Sequence, residues 1–188
     1  MTTYLILVKH SVPEIQENRP SNTWKLSPEG ELRAQRLAEH LEKFGAEVIV
    51  SSDERKAQET AEIIARQLQL NVQVLPGLHE HDRANVSYLP HAAFQALIRD
   101  FFQKPDELVF GKETANEAYA RFYRVVHSIL NEYSNKTVVV VTHGTVISLF
   151  VSRLTGSSDL ELWNMLGLPS FVALDLESNI VIVKSKID

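Results

Sequence analysis

The fold is decided by the stretch VVVVTHGT, residues 138–145, in which four consecutive valines lead into a polar turn that carries His143. The stretch LILVKHS, residues 5–11, repeats this pattern near the start of the chain and places His10 soon after its apolar run. Continuous runs of Val, Ile and Leu are typical of strands buried on both faces, as in parallel sheets. Because the carboxyl ends of such strands form the ligand crevice of an open α/β sheet, we expect both histidines to face one ligand.

The composition is that of an ordinary soluble globular protein, with 44% hydrophobic and 23% charged residues among 188. We therefore expect a single domain, residues 1–188. A net charge of −5 and the lack of a basic stripe argue against a nucleic-acid partner. The chain has no cysteine, which excludes disulfides, thiolate metal sites and a cysteine nucleophile. No basic region precedes the first apolar run, which soon reaches Lys9, so we expect no signal peptide, no membrane partner and a cytoplasmic location.

Strand and helix patterns alternate along the chain, which predicts an α/β sandwich with a mostly parallel central sheet and an antiparallel edge. Ser27 and Pro28 are residue types that begin a helix. Ser51 and Glu54 have the spacing of a capping box, which predicts a helix from there through Leu68. The other predicted elements are strands at 5–8, 47–50, 72–75 and 137–141, and helices at 92–102, 114–133, 145–154 and 159–166.

Two segments depart from this alternation. Segment 76–112 contains three prolines and one predicted helix, and we interpret it as an insertion that covers the strand ends and shapes specificity. Near the end of the chain, residues 171–176 and 180–183 predict a β-hairpin. Its edge offers a surface through which a second copy could pair, giving a homodimer.

Two further polar segments follow predicted strands and should reach the same sheet edge. SSDERKAQETA, residues 51–61, presents Lys56 or Arg55 near the start of a helix, where an anion is favoured. LHEHDR, residues 78–83, supplies two histidines and two carboxylates. That set also suits a metal ion, but adjacent side chains diverge and rarely chelate together.

Taken together, these segments resemble the histidine phosphatase superfamily, which has the phosphoglycerate mutase-like fold. The resemblance covers almost the whole chain and consists of five short motifs in the family's order. Residues 9–11, KHS, match its opening Arg-His-Gly, and residues 26–30, LSPEG, match Leu-Thr-x-x-Gly. The later matches are KAQETA at 56–61 to Arg-Ala-x-x-Thr-Ala, LHE at 78–80 to Leu-x-Glu, and THG at 142–144 to Ser/Thr-His-Gly. The resemblance implies a three-layer α/β/α sandwich.

The chain departs from the family pattern at both phosphate-binding arginines, which are Lys9 and Lys56 here. Lysine keeps the charge but lacks the bidentate fork of arginine, so it would hold a phosphate less rigidly. A register with Arg55 as the second cation needs a one-residue slip and loses the rest of that motif. Ser11 replaces a glycine beside the first histidine. The replacement of both arginines by lysine indicates either a coherent variant of the phosphate site or a degenerate phosphate site.

The resemblance implies phosphoryl transfer from a small phosphomonoester through a phosphohistidine on His10. His143 would stabilise the transition state, and Glu80 would protonate the leaving alkoxide and later activate water. No metal or other cofactor is expected, because side-chain cations neutralise the phosphate. The implied phosphate-binding groups are Lys9, Lys56, Gly144 and Thr145, and the expected substrate contacts are Arg83, His79 and His81.

Two other functions stay open from the sequence. The lysine substitutions also suit a non-catalytic binder of a phosphorylated ligand, or a scaffold, although neither needs a nucleophile together with an acid. A phosphoglycerate-type mutase is disfavoured because the chain is short. A serine hydrolase and a P-loop protein are poorly supported, since the sequence contains neither a Gly-x-Ser-x-Gly elbow nor a P-loop motif.

Overall fold

A computed structural model of the chain describes residues 3–178, 181–184 and 187. Over these residues the strands are β1 (Tyr4–Lys9), β2 (Val48–Ser52), β3 (Val72–Leu75), β4 (Val138–Thr142), β5 (Ser170–Asp175) and β6 (Val181–Lys184). The helices are α1 (Pro28–Glu42), α2 (Arg55–Leu68), α3 (His91–Gln103), α4 (Ala115–Glu132), α5 (Gly144–Thr155) and α6 (Asp159–Met165), and a 3₁₀ turn covers Ser21–Thr23. Residue 180, the predicted first residue of the last strand, lies outside the described residues.

All these strands belong to one sheet, in the order β3-β2-β4-β1-β5-β6. β3, β2, β4 and β1 run parallel to one another, whereas β5 and β6 are antiparallel to their neighbours. This confirms the predicted mixed sheet with an antiparallel edge. The register pairs Lys9 with Thr142 and Ser52 with Leu75, so the four parallel strands end at one edge of the sheet.

The two faces of the sheet are covered by different helices. In β4, Val138 and Val140 pack into a core shared with α4, α5 and α6. Val139 and Val141 pack into a second core, on the opposite face, shared with α1 and α2. Burial on both faces explains why this strand is a continuous valine run and not an alternation of apolar and polar residues. Helices, sheet and helices form the three expected layers.

The helix starts show which local signals were informative. Thr114 accepts the N–H of Glu117, whose side chain accepts the N–H of Thr114, so the predicted capping box of α4 is confirmed. The predicted capping box at Ser51 and Glu54 is wrong. Ser51 belongs to β2 and donates to the carbonyl of Ser52, and α2 begins only at Arg55. Pairing with β4 and β3 extends β2 through Ser51 and Ser52, and it therefore delays the start of the helix.

The predicted insertion, residues 76–112, is anchored to the rest of the molecule through α3. Ile98, Phe101 and Phe102 pack against Ala118 of α4 and Leu149 of α5 in a third apolar cluster. The insertion therefore has one helix that packs through a single buried face, with irregular segments on either side of it. No helix among the described residues combines the length and the apolar character that crossing a membrane requires.

Candidate active site

The carboxyl ends of β1, β2, β3 and β4 bring together the polar segments that follow them. The N–H of His10 donates to the carbonyl of Thr142 over 3.0 Å. The hydroxyl of Thr142 donates to the carbonyl of Leu78 over 2.7 Å, and Nε2 of His143 lies 2.9 Å from Oγ of Ser52. These contacts join the segments after all four strands into one site, at the edge where α/β sheets bind ligands.

His10 is held as a neutral imidazole with a defined tautomer. Its Nδ1 lies 2.8 Å from the carbonyl oxygen of Ser11. Because a carbonyl only accepts hydrogen bonds, Nδ1 carries the proton and Nε2 carries the lone pair. Burial, and then the nearby charge of Lys56 and the ring of His143, lower the pKa of His10 well below its ordinary value. A ring nitrogen able to act as a nucleophile is therefore present at neutral pH.

His143 faces His10, with 5.2 Å between the ring centroids. Its Nε2 contacts Oγ of Ser52 and lies 3.7 Å from Oε1 of Glu54. Burial, and then the charge of Lys56, hold the pKa of His143 well below its ordinary value. Its Nδ1 is buried and has no hydrogen-bond partner among the described residues. A buried polar atom without a partner is suited to forming a hydrogen bond with a ligand.

Lys56 and Glu54 form a buried ion pair at the start of α2. Nζ of Lys56 donates to Oε2 of Glu54 and, over 2.8 Å, to the carbonyl of Ser21. The other carboxylate oxygen of Glu54 accepts the N–H of Glu80 over 2.9 Å. Burial raises the pKa of Glu54, but Lys56 and the amide of Glu80 outweigh it and keep that pKa below its ordinary value. We therefore treat the pair as charged.

Lys9 supplies a second cation from the end of β1. Its Nζ donates to the carbonyl of Leu166 over 2.7 Å. Burial lowers the pKa of Lys9 to about 8, although the charge of Glu80 acts in the opposite direction. The lysine side chain runs against Gly144, where a Cβ atom would lie 3.1 Å from Cε of Lys9. A residue without a side chain at position 144 therefore leaves room for this cation.

Glu80 is fixed by two backbone amides. Its Oε1 accepts the N–H of His81 over 3.0 Å, and its Oε2 accepts the N–H of Thr145 over 3.3 Å. Thr145 lies in the first turn of α5, where helix N–H groups lack partners within the helix. The amide that the sequence predicted for phosphate binding thus holds the predicted acid in this structure.

The backbone after His10 is fixed by hydrogen bonds to α1 and α2. Ser11 donates its hydroxyl to the carbonyl of Gly30 over 2.7 Å, and its N–H donates to Oγ1 of Thr60 over 3.0 Å. A Cβ atom at Gly30 would lie only 2.1 Å from the carbonyl oxygen of Val12. The serine that replaces a glycine of the family motif is therefore hydrogen-bonded to both α1 and α2.

Arg121 holds the segment that carries Glu80. Its Nη1 donates to the carbonyls of Gly77 and His79 over 2.9 and 3.0 Å, and its Nη2 donates to the carbonyl of Glu80 over 3.2 Å. The same guanidinium forms an ion pair with Glu113, with 3.1 Å between Nε and Oε2. One side chain of α4 thus fixes the backbone on both sides of the predicted acid.

The two histidines beside Glu80 point to different surroundings. Nδ1 of His79 lies 2.8 Å from the carbonyl of Glu80, and His79 lines an open cleft. The ring of His81 is 1% exposed and packs against Phe101 and Phe110, with centroid distances of 4.3 and 4.6 Å. Within the described part of the chain, no three His, Asp or Glu side chains are grouped so that they could hold a metal ion.

Two adjoining cavities open on the Glu80 side of the site, and both His79 and His81 line the first of them. The first, about 330 Å³, is lined by Glu54, Glu80 and other polar residues. The second, about 270 Å³, shares Ser21 and Arg83 with the first. The guanidinium of Arg83 lies 4.5 Å from the ring centroid of Phe94, and its Nη1 is buried without a partner among the described residues. The apolar lining of the second cavity consists of Ile15, Trp24, Val86, Tyr88, Leu89 and Phe94.

The arrangement as a whole is suited to binding and transferring a phosphoryl group. Lys9 and Lys56 provide positive charge, and the neutral imidazole of His10 lies near them. Buried polar atoms of His81, Arg83, His143 and Thr145 have no partners among the described residues, as expected of groups that bind a ligand. The structure therefore brings together most of the predicted site residues, while the ring of His81 packs in the aromatic cluster.

Sequence reasoning missed Glu54 and two backbone carbonyls. The sequence presented Glu54 as a helix cap, and only the structure shows its carboxylate beside both Lys56 and Glu80. Its position two residues before the predicted cation was the available signal. The carbonyls of Ser21 and Leu166, which accept from the two lysines, lie far from them in sequence, and no local pattern points to them.

Comparisons with known proteins identify the family and fold that this chain resembles. A family model described as the histidine phosphatase superfamily (branch 1) matches residues 5–184. A relative in Bacillus subtilis (strain 168), "Uncharacterized phosphatase PhoE", is 27% identical over 157 residues, which cover 82% of this chain and 78% of the relative.

Solved structures show the same fold at lower identity. A mycobacterial glucosyl-3-phosphoglycerate phosphatase in complex with inorganic phosphate has a TM-score of 0.74 at 23% identity, covering 99% of this chain and 97% of that one. Phosphoserine phosphatase from Entamoeba histolytica, in complex with 3-phosphoglyceric acid, has a TM-score of 0.78 at 20% identity, with coverages of 99% and 97%. With the family model matching nearly the whole length, this chain belongs to the histidine phosphatase superfamily.

Proposed function

We propose that this protein is a phosphohydrolase that removes the phosphoryl group of a small phosphomonoester through a phosphohistidine intermediate, without a metal ion. The observation that carries the proposal is the state of His10. Its Nδ1 is fixed on the Ser11 carbonyl, its pKa is lowered by burial and by Lys56, and Nε2 is left with the lone pair. Membership of a family of phosphatases supports the same conclusion.

In the first step, Nε2 of His10 attacks the phosphorus atom and the bond from phosphorus to the ester oxygen breaks. The leaving oxygen takes a proton from the carboxyl group of Glu80, so the alcohol departs neutral. The two amides that hold the Glu80 oxygens fix the direction in which the proton is offered. Covalent catalysis of this kind divides one difficult displacement into two easier ones.

In the second step, water attacks the phosphohistidine. The Glu80 carboxylate formed in the first step accepts a proton from that water, and the bond from phosphorus to nitrogen breaks. The electron pair returns to Nε2 of His10, and inorganic phosphate leaves. Glu80 thus ends protonated, as it began, and the cycle balances.

Positive charge and hydrogen-bond donors stabilise the transferring group in both steps. Lys9 lies at the end of β1 and Lys56 in the first turn of α2, and each donates to one backbone carbonyl. His143 offers its Nδ1, which has no partner among the described residues, beside His10. The first turn of α5 offers the backbone N–H of Gly144, since the N–H of Thr145 is held by Glu80. Preorganised groups of this type stabilise charge that develops on the equatorial oxygens.

The adjoining apolar cavity is the proposed site of the leaving group. We propose that residues 76–112 act, within a single domain, as the segment that shapes specificity, because one wall of that cavity comes from this segment. Arg83 would contact the substrate where the two cavities meet. The names of the structural relatives include phosphoserine and glucosyl-3-phosphoglycerate, and both of these are phosphomonoesters.

The proposal is tested by the hydrolysis of an aryl phosphate in the presence of a chelator, comparing wild type with His10→Ala. We expect metal-independent turnover in the wild type and a loss of at least about 10³-fold in the variant, since the nucleophile is removed. His127→Ala is the matched control, because that histidine is exposed on α4 and should leave activity unchanged.

Undiminished activity of His10→Ala would overturn the assignment of the nucleophile. A folded wild type that hydrolyses no phosphoester but binds inorganic phosphate would instead identify a phospho-ligand binder. Alkaline quenching of the wild-type reaction, followed by phosphorus NMR at alkaline pH, should detect the phosphohistidine directly, because its P–N bond is labile in acid and stable in base.

A further inference from the structure

Glu54 is a buried carboxylate that the proposed mechanism does not use. It is 8% exposed, and its two oxygens are engaged by Nζ of Lys56 and by the N–H of Glu80. It also faces the imidazole of His143, with 3.7 Å between Oε1 and Nε2. Glu54 therefore contacts Lys56, lies near His143 and is hydrogen-bonded to the segment that carries Glu80. It belongs to the site itself.

The position of Glu54 creates a conflict with an anionic ligand. Lys56 is a predicted phosphate-binding cation, yet its Nζ already donates to Glu54 and to the carbonyl of Ser21. A phosphoryl dianion that contacts Lys56 would stand beside the Glu54 carboxylate in a buried, weakly screened environment. Two negative charges close together in such an environment repel each other strongly. The ligand therefore binds at Lys56 less tightly while Glu54 keeps its charge.

We propose that Glu54 determines the charge that the site accepts: a dianionic group binds at Lys56 only together with one proton, which Glu54 takes up as it releases the lysine. This inference rests on the proposed function, because it assigns phosphate binding to the same site. Binding breaks the contact between Oε2 and Nζ of Lys56. The carboxylate becomes a neutral carboxyl group, and Nζ turns to the ligand.

Other groups around Glu54 also respond to an anion. His10, His143 and Glu80 face it from the ends of three strands, and Arg83 lies across the cleft. Each of these could contribute to total proton uptake. The contribution of Glu54 is therefore measured as the difference in proton uptake between wild type and Glu54→Gln. This substitution keeps the shape of the side chain and removes its charge.

The test is calorimetric titration of the protein with sulfate, between pH 6 and 7, in two buffers with different ionisation enthalpies. Sulfate stays a dianion in this range, so any proton taken up on binding goes to the protein. Lys9, with a pKa of about 8, is largely charged there and contributes little. We expect Glu54→Gln to take up about one proton fewer than wild type and to bind sulfate at least about 10²-fold more tightly at pH 7, because the variant no longer needs that proton.

Glu62→Gln is the matched control, since Glu62 is exposed on α2 and should leave both quantities at their wild-type values. Glu80→Gln should retain the part of the uptake that belongs to Glu54. Wild type alone also gives a check that does not depend on any variant. Its affinity for sulfate should weaken by about tenfold per pH unit over this range, and a flat profile would overturn the proposal.

Unchanged proton uptake in Glu54→Gln, or weaker sulfate binding, would also overturn it. These outcomes are separable from failure of the proposed function. Proton-coupled sulfate binding by a protein that hydrolyses no phosphoester would leave the role of Glu54 intact. Hydrolysis by wild type with no effect of Glu54→Gln on uptake would refute the role of Glu54 alone.

Discussion

The strand-end site and the outer wall of the cleft are built in opposite ways. In the strand-end site, formed by the residues that follow β1 to β4, polar side chains are buried and hydrogen-bonded to backbone from distant parts of the chain: Lys9 to Leu166, and Lys56 to Ser21. The outer wall, residues 15–24 and 82–94, presents apolar side chains that are partly exposed, such as Tyr88 at 41%.

This difference assigns separate tasks to the two regions. Moving buried, hydrogen-bonded polar groups costs free energy, so the strand-end site suits chemistry that requires fixed geometry. Exposed loops tolerate changes in side chain, so the outer wall suits selection of a leaving group. Substitutions in the first region should therefore act on the chemical step, and substitutions in the second on substrate binding.

Removing the acid should give the largest effect that depends on the substrate. We expect Glu80→Gln to reduce kcat/KM for an alkyl phosphate by about 10²- to 10³-fold, because an alkoxide needs a proton to leave. The loss should be much smaller for nitrophenyl phosphate, whose leaving group is stable without one. Steady-state kinetics on both substrates, with the exposed Glu107→Gln as control, measures the ratio. Equal losses on the two esters would remove Glu80 from the role of acid.

The pH dependence of kcat/KM should report the cation at the end of β1. Burial lowers the pKa of Lys9 to about 8, so the charge that attracts the substrate is present below that pH and lost above it. We expect kcat/KM to fall by about tenfold per pH unit above pH 8.

Lys9→Arg separates this cause from others, because a guanidinium does not deprotonate in proteins. The fall above pH 8 should disappear in that variant and persist in the exposed Lys104→Arg. A basic limb that stays unchanged in Lys9→Arg would belong to a different group.

A change in the outer wall should have the smallest effect, and on KM alone. Truncating Tyr88 to Ala removes aromatic surface from the second cavity, and we expect KM for an aryl phosphate to rise by about two- to tenfold with kcat unchanged. Glycerol phosphate, which lacks an apolar group, should be unaffected. The exposed Leu108→Ala serves as control. A fall in kcat would show that the two regions are coupled, contrary to their construction.

The elements of the fold were predictable because their signals are local. The valine run of β4, the Ser27 start of α1 and the Thr114–Glu117 capping box each lie within a few residues, and all correspond to observed structure. The mixed sheet followed from alternating strands and helices. The wrong prediction at Ser51 shows the limit of local signals. Pairing between β2 and β4 makes this residue part of a strand, although its sequence also suits a helix start.

The candidate site was less predictable, because its decisive contacts cross the chain. Its histidines could be placed at one edge from the strand pattern alone. The contact of Lys56 with the Ser21 carbonyl, and the engagement of Glu54 by the Glu80 amide, join residues 35 and 26 positions apart. Contacts between residues so far apart in the sequence leave no periodic pattern from which they could be predicted. Similarly, the sequence placed His81 beside Glu80 but gave no sign that its ring would enter an aromatic cluster.

The hold of Arg121 on the backbone around Glu80 has a consequence for how this protein can diversify. One guanidinium binds the carbonyls of Gly77, His79 and Glu80 from α4, outside the wall that would contact the leaving group. Mutations accumulating at residues 84–91 can therefore exchange one preferred alcohol for another while the proton donor keeps its position. Directed evolution confined to that stretch should change substrate preference without passing through inactive variants.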